Sequence, residues 1–251
     1  MSTAAISLIV FGCIFGASLL GMLLRKMLPV HHMSTESKDT IKLAMGLVAT
    51  MAALVLGLLI GAAKDKYDKE AAGITQMAAK IIYLDRILAN YGSESGEVRA
   101  LLKEMVVRVA DRMWPEKSSG ESQLDPTAAR AEPLFASIQS LSPKNDLQTA
   151  FKSQAVTLAF DVGEMRWQEF EQANANFSLP LLCILTFWLA ILFISWGIFA
   201  PTNGTVLVAL FMAALAVTGA IFLMMELNIP FSGLLQISRV PFDDAIAHLG
   251  G

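Results

Sequence analysis

The sequence predicts an all-α membrane protein with four transmembrane helices and a large helical insert between the second and the third. Of its 251 residues, 55% are hydrophobic and 16% are charged, whereas an average soluble domain carries about 25% charged residues. Charged residues are missing from positions 1–24, 43–63 and 172–225. In the remaining segments apolar residues recur every three or four positions, which is the period of an α-helix, and no strand pattern is found.

Four uncharged stretches are long enough to cross a bilayer. At about 1.5 Å per residue each matches a hydrocarbon core of about 30 Å, and the backbone inside lipid must satisfy its own hydrogen bonds, so we expect helices. The first stretch lacks a basic segment ahead of it, and Arg25 and Lys26 follow it, so we expect a retained helix rather than a signal peptide. The predicted spans are residues 4–24, 43–63, 179–200 and 205–225.

The charged insert is predicted to be helical throughout. Its first apolar face continues from the second span without a helix breaker, so we expect one helix from residue 43 to residue 91, stopped by Gly92. Further helices are expected over residues 94–114 and 125–141 and from Ser142-Pro143 towards the third span. The chain therefore divides into transmembrane helices 1 and 2 (1–63), the helical insert (64–178), transmembrane helices 3 and 4 (179–227) and an interfacial C-terminal segment (228–251).

A stripe of small residues runs along the second span. Its members follow each other at steps of three or four, so they share one side of the helix. Small residues favour close packing between membrane helices, and they would equally leave room for a hydrated ion if this side lined a pore. Both interpretations stay open. The stripe consists of Gly46, Thr50, Ala53, Gly57 and Gly61. In the first span, Gly12 and Gly16 form a second, shorter motif of this packing type.

The end of the fourth span carries a distinctive C-terminal motif. Glu226 follows an uncharged span and is expected to meet water there, while Pro230 prevents a simple continuation of the helix. The apolar residues that follow are too few to cross a bilayer, so they either lie at the interface or fold under the bundle. A helix start near Phe231 would favour an anion, and a plain structural cap is the alternative. The motif comprises Glu226, Asn228, Pro230, Phe231 and Gly233.

No pattern in the sequence supports enzyme chemistry, and we predict no catalytic residue, metal site or cofactor. His31-His32 and His248 lack the spaced partners of a zinc site, and nucleophile motifs and phosphate-binding glycine loops are absent.

Asp161, Glu164 and Arg166 are expected to pair on one helical face. Cys13 and Cys183 are interpreted as small buried residues. The net charge of −3 and the lack of a basic run argue against nucleic-acid binding.

Several stretches make the chain resemble the bestrophin-like domain family of bacterial membrane proteins. They are residues 54–70, which end in Tyr67-x-x-Glu70, residues 84–92, residues 199–205 and residues 225–233 with Ile237-Ser238. The sequence departs from the family at position 228, where an acid is expected and Asn228 stands, so a role of that acid in binding a cation or a partner is in doubt. The aromatic neck motif of bestrophins is not found.

The resemblance implies a function as well as a fold. Bestrophins are pentameric anion channels whose second membrane helix lines the pore, so the expectation is a homo-oligomeric channel for small inorganic ions in the bacterial inner membrane. By the same analogy the insert and both termini are cytoplasmic; the basic residues flanking the second span do not decide the orientation. The alternative is a membrane-anchored scaffold that binds a partner through its cytosolic helices.

Overall fold

The computed structural model describes residues 2–27, 35–114, 132–174, 179–201, 203–231 and 233–250. These residues form eight α-helices and one 3₁₀ turn, Ser93–Ser95, and no strand. The all-α class predicted from the sequence is confirmed. The helices are α1 (Thr3–Met27), α2 (Thr35–Tyr91), α3 (Gly96–Met113), α4 (Glu132–Ser140), α5 (Asp146–Asn174), α6 (Leu179–Phe199), α7 (Gly204–Leu227) and α8 (Val240–His248).

The chain folds into two compact units. The membrane unit comprises Met1–Lys66 and Phe177–Asn228, and the helical unit comprises Tyr67–Asn176 and Ile229–Gly251. Four helices are long and apolar enough to cross a membrane: Thr3–Met27, Lys38–Tyr91, Pro180–Phe199 and Gly204–Leu227. They overlap the four predicted spans, and the second continues far beyond its predicted span of residues 43–63.

Within the membrane unit, α1 runs parallel to α6 and antiparallel to α7. Gly21 of α1 lies against Gly197 of α6, where a Cβ atom added to Gly21 would come within 3.0 Å of the Gly197 Cα. The Arg25 guanidinium, one turn further along α1, donates to the Ala200 carbonyl at the end of α6. On the other side of α1, the Phe15 ring meets the Phe211 ring of α7 edge to face at 5.4 Å.

The close crossing of α1 and α6 was not predicted from the sequence. The predicted packing motif of α1, Gly12 and Gly16, meets nothing: a Cβ atom at either position has no neighbour within 4 Å. Gly21 and Gly197 make the contact instead, because the lack of a side chain lets the two backbones touch. The prediction for Gly12 and Gly16 is therefore wrong within this chain.

Helix α2 spans 57 residues, which corresponds to about 85 Å at the standard rise. It starts earlier than predicted and ends where predicted, at Tyr91. Gly92 stops it with a φ of 127°, a conformation that favours glycine, and a Cβ atom there would lie 2.8 Å from Glu94 Oε2. The Ser95 hydroxyl donates to the Gly92 carbonyl at 2.8 Å and closes the turn into α3.

The helical unit is built around one apolar core. Helices α2, α3, α4, α5 and α8 all contribute side chains to it, among them Ile81, Val106, Ile138 and Ala155. The observed helix α3 agrees with the predicted one, and α4 covers the second part of its predicted range. The first part of that range, residues 125–131, lies outside the described residues. Helix α5 begins at Asp146 and not at the predicted start Ser142-Pro143, because Asn145 caps it by accepting from the Gln148 N–H at 2.8 Å.

The C-terminal segment, predicted to be interfacial, contributes side chains to this core. Its buried residues are Phe231, Ile237, Phe242, Ala245 and Leu249. Trp114 of α3 donates from its indole Nε1 to the Ile237 carbonyl at 2.8 Å, and Lys103 donates to the Leu249 carbonyl at 2.8 Å. The sequence pattern could not make this distinction, because a protein core and a membrane interface bury the same apolar residues.

The buried ion pair of the helical unit is expected to be important for its stability. Asp85 of α2 is 1% exposed, and Arg99 of α3 donates to both of its carboxylate oxygens at 2.8 Å. This pairing raises the pKa of Arg99. Replacing Arg99 with leucine should destabilise the unit by about 3–5 kcal/mol, because it leaves a buried carboxylate without its cation. Urea unfolding in mild detergent, followed by circular dichroism, measures the loss.

The matched control for that variant is Lys144→Ala. Lys144 pairs with Glu94 at 2.5 Å, but 72% of the lysine side chain is exposed, so solvent screens the pair and its loss should change little. Equal unfolding midpoints for the two variants would contradict the importance given to the Asp85–Arg99 pair.

Candidate functional site

The candidate site is the small-residue stripe of α2. All five members, Gly46 to Gly61, are exposed in the chain, and a Cβ atom added to any of its three glycines would meet nothing within 4 Å. The Thr50 hydroxyl donates to the Gly46 carbonyl of its own helix at 2.9 Å. Within one chain, therefore, the stripe packs against nothing.

The stripe lies on a different side of α2 from its buried residues. Ala52 and Ala63 are 2% and 4% exposed, and at about 100° per residue they are rotated by roughly 80–140° around the helix from Ala53 and Gly57. The apolar window of α2 is far less covered than those of the other spans: 6% of it is buried, against 33% for α1 and α6 and 22% for α7. Most of the surface of this helix in the membrane unit is therefore open to a neighbour, to lipid or to water.

A second exposed stripe, of large apolar residues, runs beside the small one. The two stripes have the same steps of three and four and are offset by roughly 80° around the helix. Large apolar side chains suit contacts with lipid or with another helix, so the two faces of α2 are chemically different. The large stripe consists of Leu43, Leu47, Met51, Leu54 and Leu58, which are 45% to 78% exposed.

Charged residues continue the small stripe at both of its ends. Asp39 and Lys42 precede Gly46 at the same helical spacing, and Lys64 and Asp68 follow Gly61. All four are exposed, and Lys42 contacts Asp39 at 3.3 Å. Each end of the uncharged stripe thus has one basic and one acidic side chain, a pattern that was not predicted from the sequence.

The residues of the C-terminal motif make separate local contacts. Glu226 is 2% exposed and accepts a hydrogen bond from the Thr3 hydroxyl of α1, so within the chain its carboxylate is buried against the start of α1. Asn228 caps α7, donating from its side chain to the Met224 carbonyl at 2.8 Å.

The remaining residues of the motif shape the C-terminal segment. The Pro230 carbonyl accepts from the Ile237 N–H at 2.8 Å, Phe231 stacks edge to face on Trp114 at 5.8 Å, and Gly233 has a φ of 93°. The expected helix start at Phe231 is not formed. Ser232, between Phe231 and Gly233, lies outside the described residues.

The other candidate residues are scattered. Asp161 pairs with Lys80 of α2 at 2.7 Å, not with Arg166. Cys13 and Cys183 are exposed, so their predicted burial is wrong within this chain. The His248 Nδ1 contacts the Asp244 carbonyl at 2.7 Å, while His31-His32 lie outside the described residues. In the described part of the chain no group of three metal-binding side chains occurs.

The comparison with protein families decides the classification. The bestrophin-like domain model matches residues 12–242. The chain belongs to the bestrophin-like domain family. The resemblance predicted from the sequence is thereby confirmed, and the match covers α2 with its stripe and the C-terminal motif.

Solved structures support the same fold. Two crystal structures of point-mutated forms of a bacterial bestrophin homologue from Klebsiella pneumoniae are similar to this bestrophin-like chain, with TM-scores of 0.63 and 0.62. The sequence identities are 12% and 13%, and each alignment covers 94% of this chain and 97% of the other. A search of curated protein sequences finds no match.

Proposed function

We propose that this bestrophin-like protein is the subunit of a homo-oligomeric ion channel in which α2 lines the pore. The observation that carries the proposal is the exposed small-residue stripe on the side of α2 that the chain leaves uncovered. Membership of the bestrophin-like family supports it, because bestrophins are channels whose second membrane helix lines the pore.

The uncovered glycines argue against packing inside the chain. Where glycines pack within this chain, as Gly21 and Gly197 do, the backbone of the opposite helix is in contact with them. The three glycines of the stripe instead have open space in front of them. A helix side that faced only lipid would be stabilised more by large apolar residues, such as those of the neighbouring large stripe. In the proposed channel the large stripe would contact neighbouring copies or lipid, and the small stripe would face a water-filled pore on the symmetry axis.

The conducted ion is proposed to be an anion, by analogy with bestrophins, and the oligomer a pentamer on the same ground. Inside the apolar window of α2 no charged side chain lies on the small stripe. In an oligomer, the charged residues at its two ends would form rings, and rings of charged side chains tune selectivity. We also propose that the protein lies in the bacterial inner membrane with the helical unit and both termini in the cytoplasm.

The charges at the ends of the stripe predict opposite shifts in selectivity. Lys64→Gln removes a cation from the proposed ring and should move the reversal potential towards cation permeation, whereas Asp68→Asn should move it towards anion permeation. Bilayer recordings in asymmetric potassium chloride measure both. Lys26→Gln removes the same charge from the end of α1 and should leave the reversal potential unchanged. Shifts of the same sign for Lys64→Gln and Asp68→Asn would count against the pore assignment.

The direct test of channel function is ion flux from purified protein in liposomes. Vesicles loaded with potassium chloride should release chloride under an imposed gradient, at a rate that increases with the protein-to-lipid ratio. Potassium and chloride electrodes together decide whether the flux is anionic or cationic. Absence of any flux, under several gradients and voltages, would overturn the proposal and leave the alternative, a membrane-anchored scaffold acting through its helical unit.

A further inference from the structure

The helical unit contains an apolar cavity that the proposed pore does not use. Its volume is about 60 Å³, and residues from five helices, α2, α3, α4, α5 and α8, line it. Several of the lining side chains are buried in the core of the unit, among them Leu84, Leu102, Val106 and Phe242. The cavity therefore reaches into that core.

The chemistry of the lining suits an apolar occupant. Among the described residues that form it, Arg166 is the one charged residue, and all the others are glycine, aliphatic, methionine or phenylalanine residues. A buried water molecule needs about two to four polar partners. Because the apolar side chains offer none, a hydrocarbon group is stabilised in this space better than water is.

Gly163 of α5 keeps part of this space open. It lines the cavity in the middle of a helix, where glycine is less favourable than alanine. The approach of another backbone does not require a glycine there, because a Cβ atom added to Gly163 would meet nothing within 4 Å. An empty apolar space is also unfavourable in itself, since the atoms around it lack contact partners on one side. A ligand that occupies the space would account for both features.

The size of the cavity limits the size of the ligand. Since one water-sized group needs roughly 10–15 Å³, a volume of about 60 Å³ admits about four to six such groups. Two of the lining residues are Met77 and Met105, whose flexible thioether side chains can adapt to the shape of an occupant. We propose that the cavity binds one small uncharged apolar molecule of about four to six carbon atoms, such as a short hydrocarbon or a single benzene ring.

The test uses nuclear magnetic resonance of the full-length protein in lipid nanodiscs, with isotope-labelled methionine methyl groups and benzene as the probe. The ring current of bound benzene should shift the signals of Met77 and Met105 in a saturable manner. Met113 is the matched control, because it is buried in the same core but does not line the cavity, so its signal should shift much less. The variants Met77→Leu, Met105→Leu and Met113→Leu assign the three signals.

Three results of this titration would overturn the proposal. The first is the absence of any shift at Met77 and Met105. The second is a shift that does not saturate or that is equal at Met77 and Met113, because this would show that benzene merely partitions into lipid and protein. Benzoate carries the same ring with a negative charge and should produce no saturable shift at the same concentrations. The third result is therefore a benzoate response as large as that of benzene, which would assign the cavity to anions.

Three variants locate the binding of benzene. Gly163→Leu and Ala159→Leu each place a larger side chain at a lining position of α5 and should raise the benzene concentration needed for half-saturation at least about tenfold, because the space is filled. Gly96→Leu is the control, since Gly96 is exposed at the start of α3 and a Cβ atom there also meets nothing within 4 Å. It should leave the response intact. A full response in both Gly163→Leu and Ala159→Leu would contradict the cavity as the site, and because no ion flux is measured, the outcome is independent of the proposed channel.

Discussion

Replacing Gly57 with phenylalanine is expected to abolish ion flux and to leave the oligomer intact. Gly57 lies near the middle of the small stripe, and the space in front of it is open in the chain. One phenyl ring from every subunit would close an axial pore with an apolar constriction, and such constrictions prevent conduction by excluding water. Flux in liposomes should therefore fall at least roughly tenfold, and Thr50→Phe should act in the same way.

The control for this variant is Gly219→Phe. Gly219 is an exposed glycine of α7, and a Cβ atom there also meets nothing within 4 Å, but it is not part of α2. Its replacement should change neither flux nor oligomer. Dissociation of the oligomer in Gly57→Phe would instead show that the stripe packs against another copy, and unchanged flux with an intact oligomer would place the pore elsewhere.

Replacing Gly197 with leucine is expected to prevent the membrane unit from folding. Even the first carbon of the new side chain would collide with the Ser18 carbonyl oxygen and lie 3.0 Å from the Gly21 Cα. Both are backbone atoms, so the collision cannot be relieved by a rotamer change and α1 and α6 must separate. Overpacking usually costs about 1–3 kcal/mol, and we expect at least the upper end here. The amount of monodisperse protein after detergent extraction measures the effect.

Gly21→Leu should have the same effect, and Gly16→Leu provides the matched control. Gly16 lies on the same helix, is exposed and has open space at its Cα. Its replacement should yield normal amounts of folded protein. Equal losses for Gly16→Leu and Gly21→Leu would contradict the close crossing of α1 and α6.

The fold class and the spans could be predicted from the sequence because both depend on local composition. A helix that crosses the bilayer needs a long uncharged run of residues, which is visible in the sequence. The apolar residues from residue 43 to residue 91 recur with one continuous helical period, and this predicts a helix that extends past the bilayer. Gly92 ends that helix for a reason visible in the sequence, since only glycine readily adopts its positive φ.

The features that could not be predicted depend on which helices meet. Gly12 and Gly16 have the spacing of a packing motif and pack against nothing, while the single glycines Gly21 and Gly197 meet each other. Glu226 follows an apolar run and looks like a residue at the edge of the membrane, yet its carboxylate is buried beside Thr3. The spacing of residues within one helix does not reveal which other helix packs against it. These contacts follow from the packing of α1 against α6 and α7.

The stripe of α2 was recognised from its spacing, but the choice between packing and a pore required the structure. The structure removes packing within the chain, because the glycines of the stripe have no neighbour. It also reveals that Lys42 and Lys64, with their acidic neighbours, continue the same side of the helix. In the proposed oligomer, other copies of the chain would determine what lies in front of the stripe.

The most direct test of the central claim is an electron cryomicroscopy structure of the purified protein in a lipid nanodisc. The account predicts a closed ring of identical subunits, with α2 of each subunit nearest the symmetry axis and Gly46, Thr50, Ala53, Gly57 and Gly61 facing a continuous axial cavity. A dimer without an axial cavity, or a ring in which the leucine-rich side of α2 faces the axis, would contradict it.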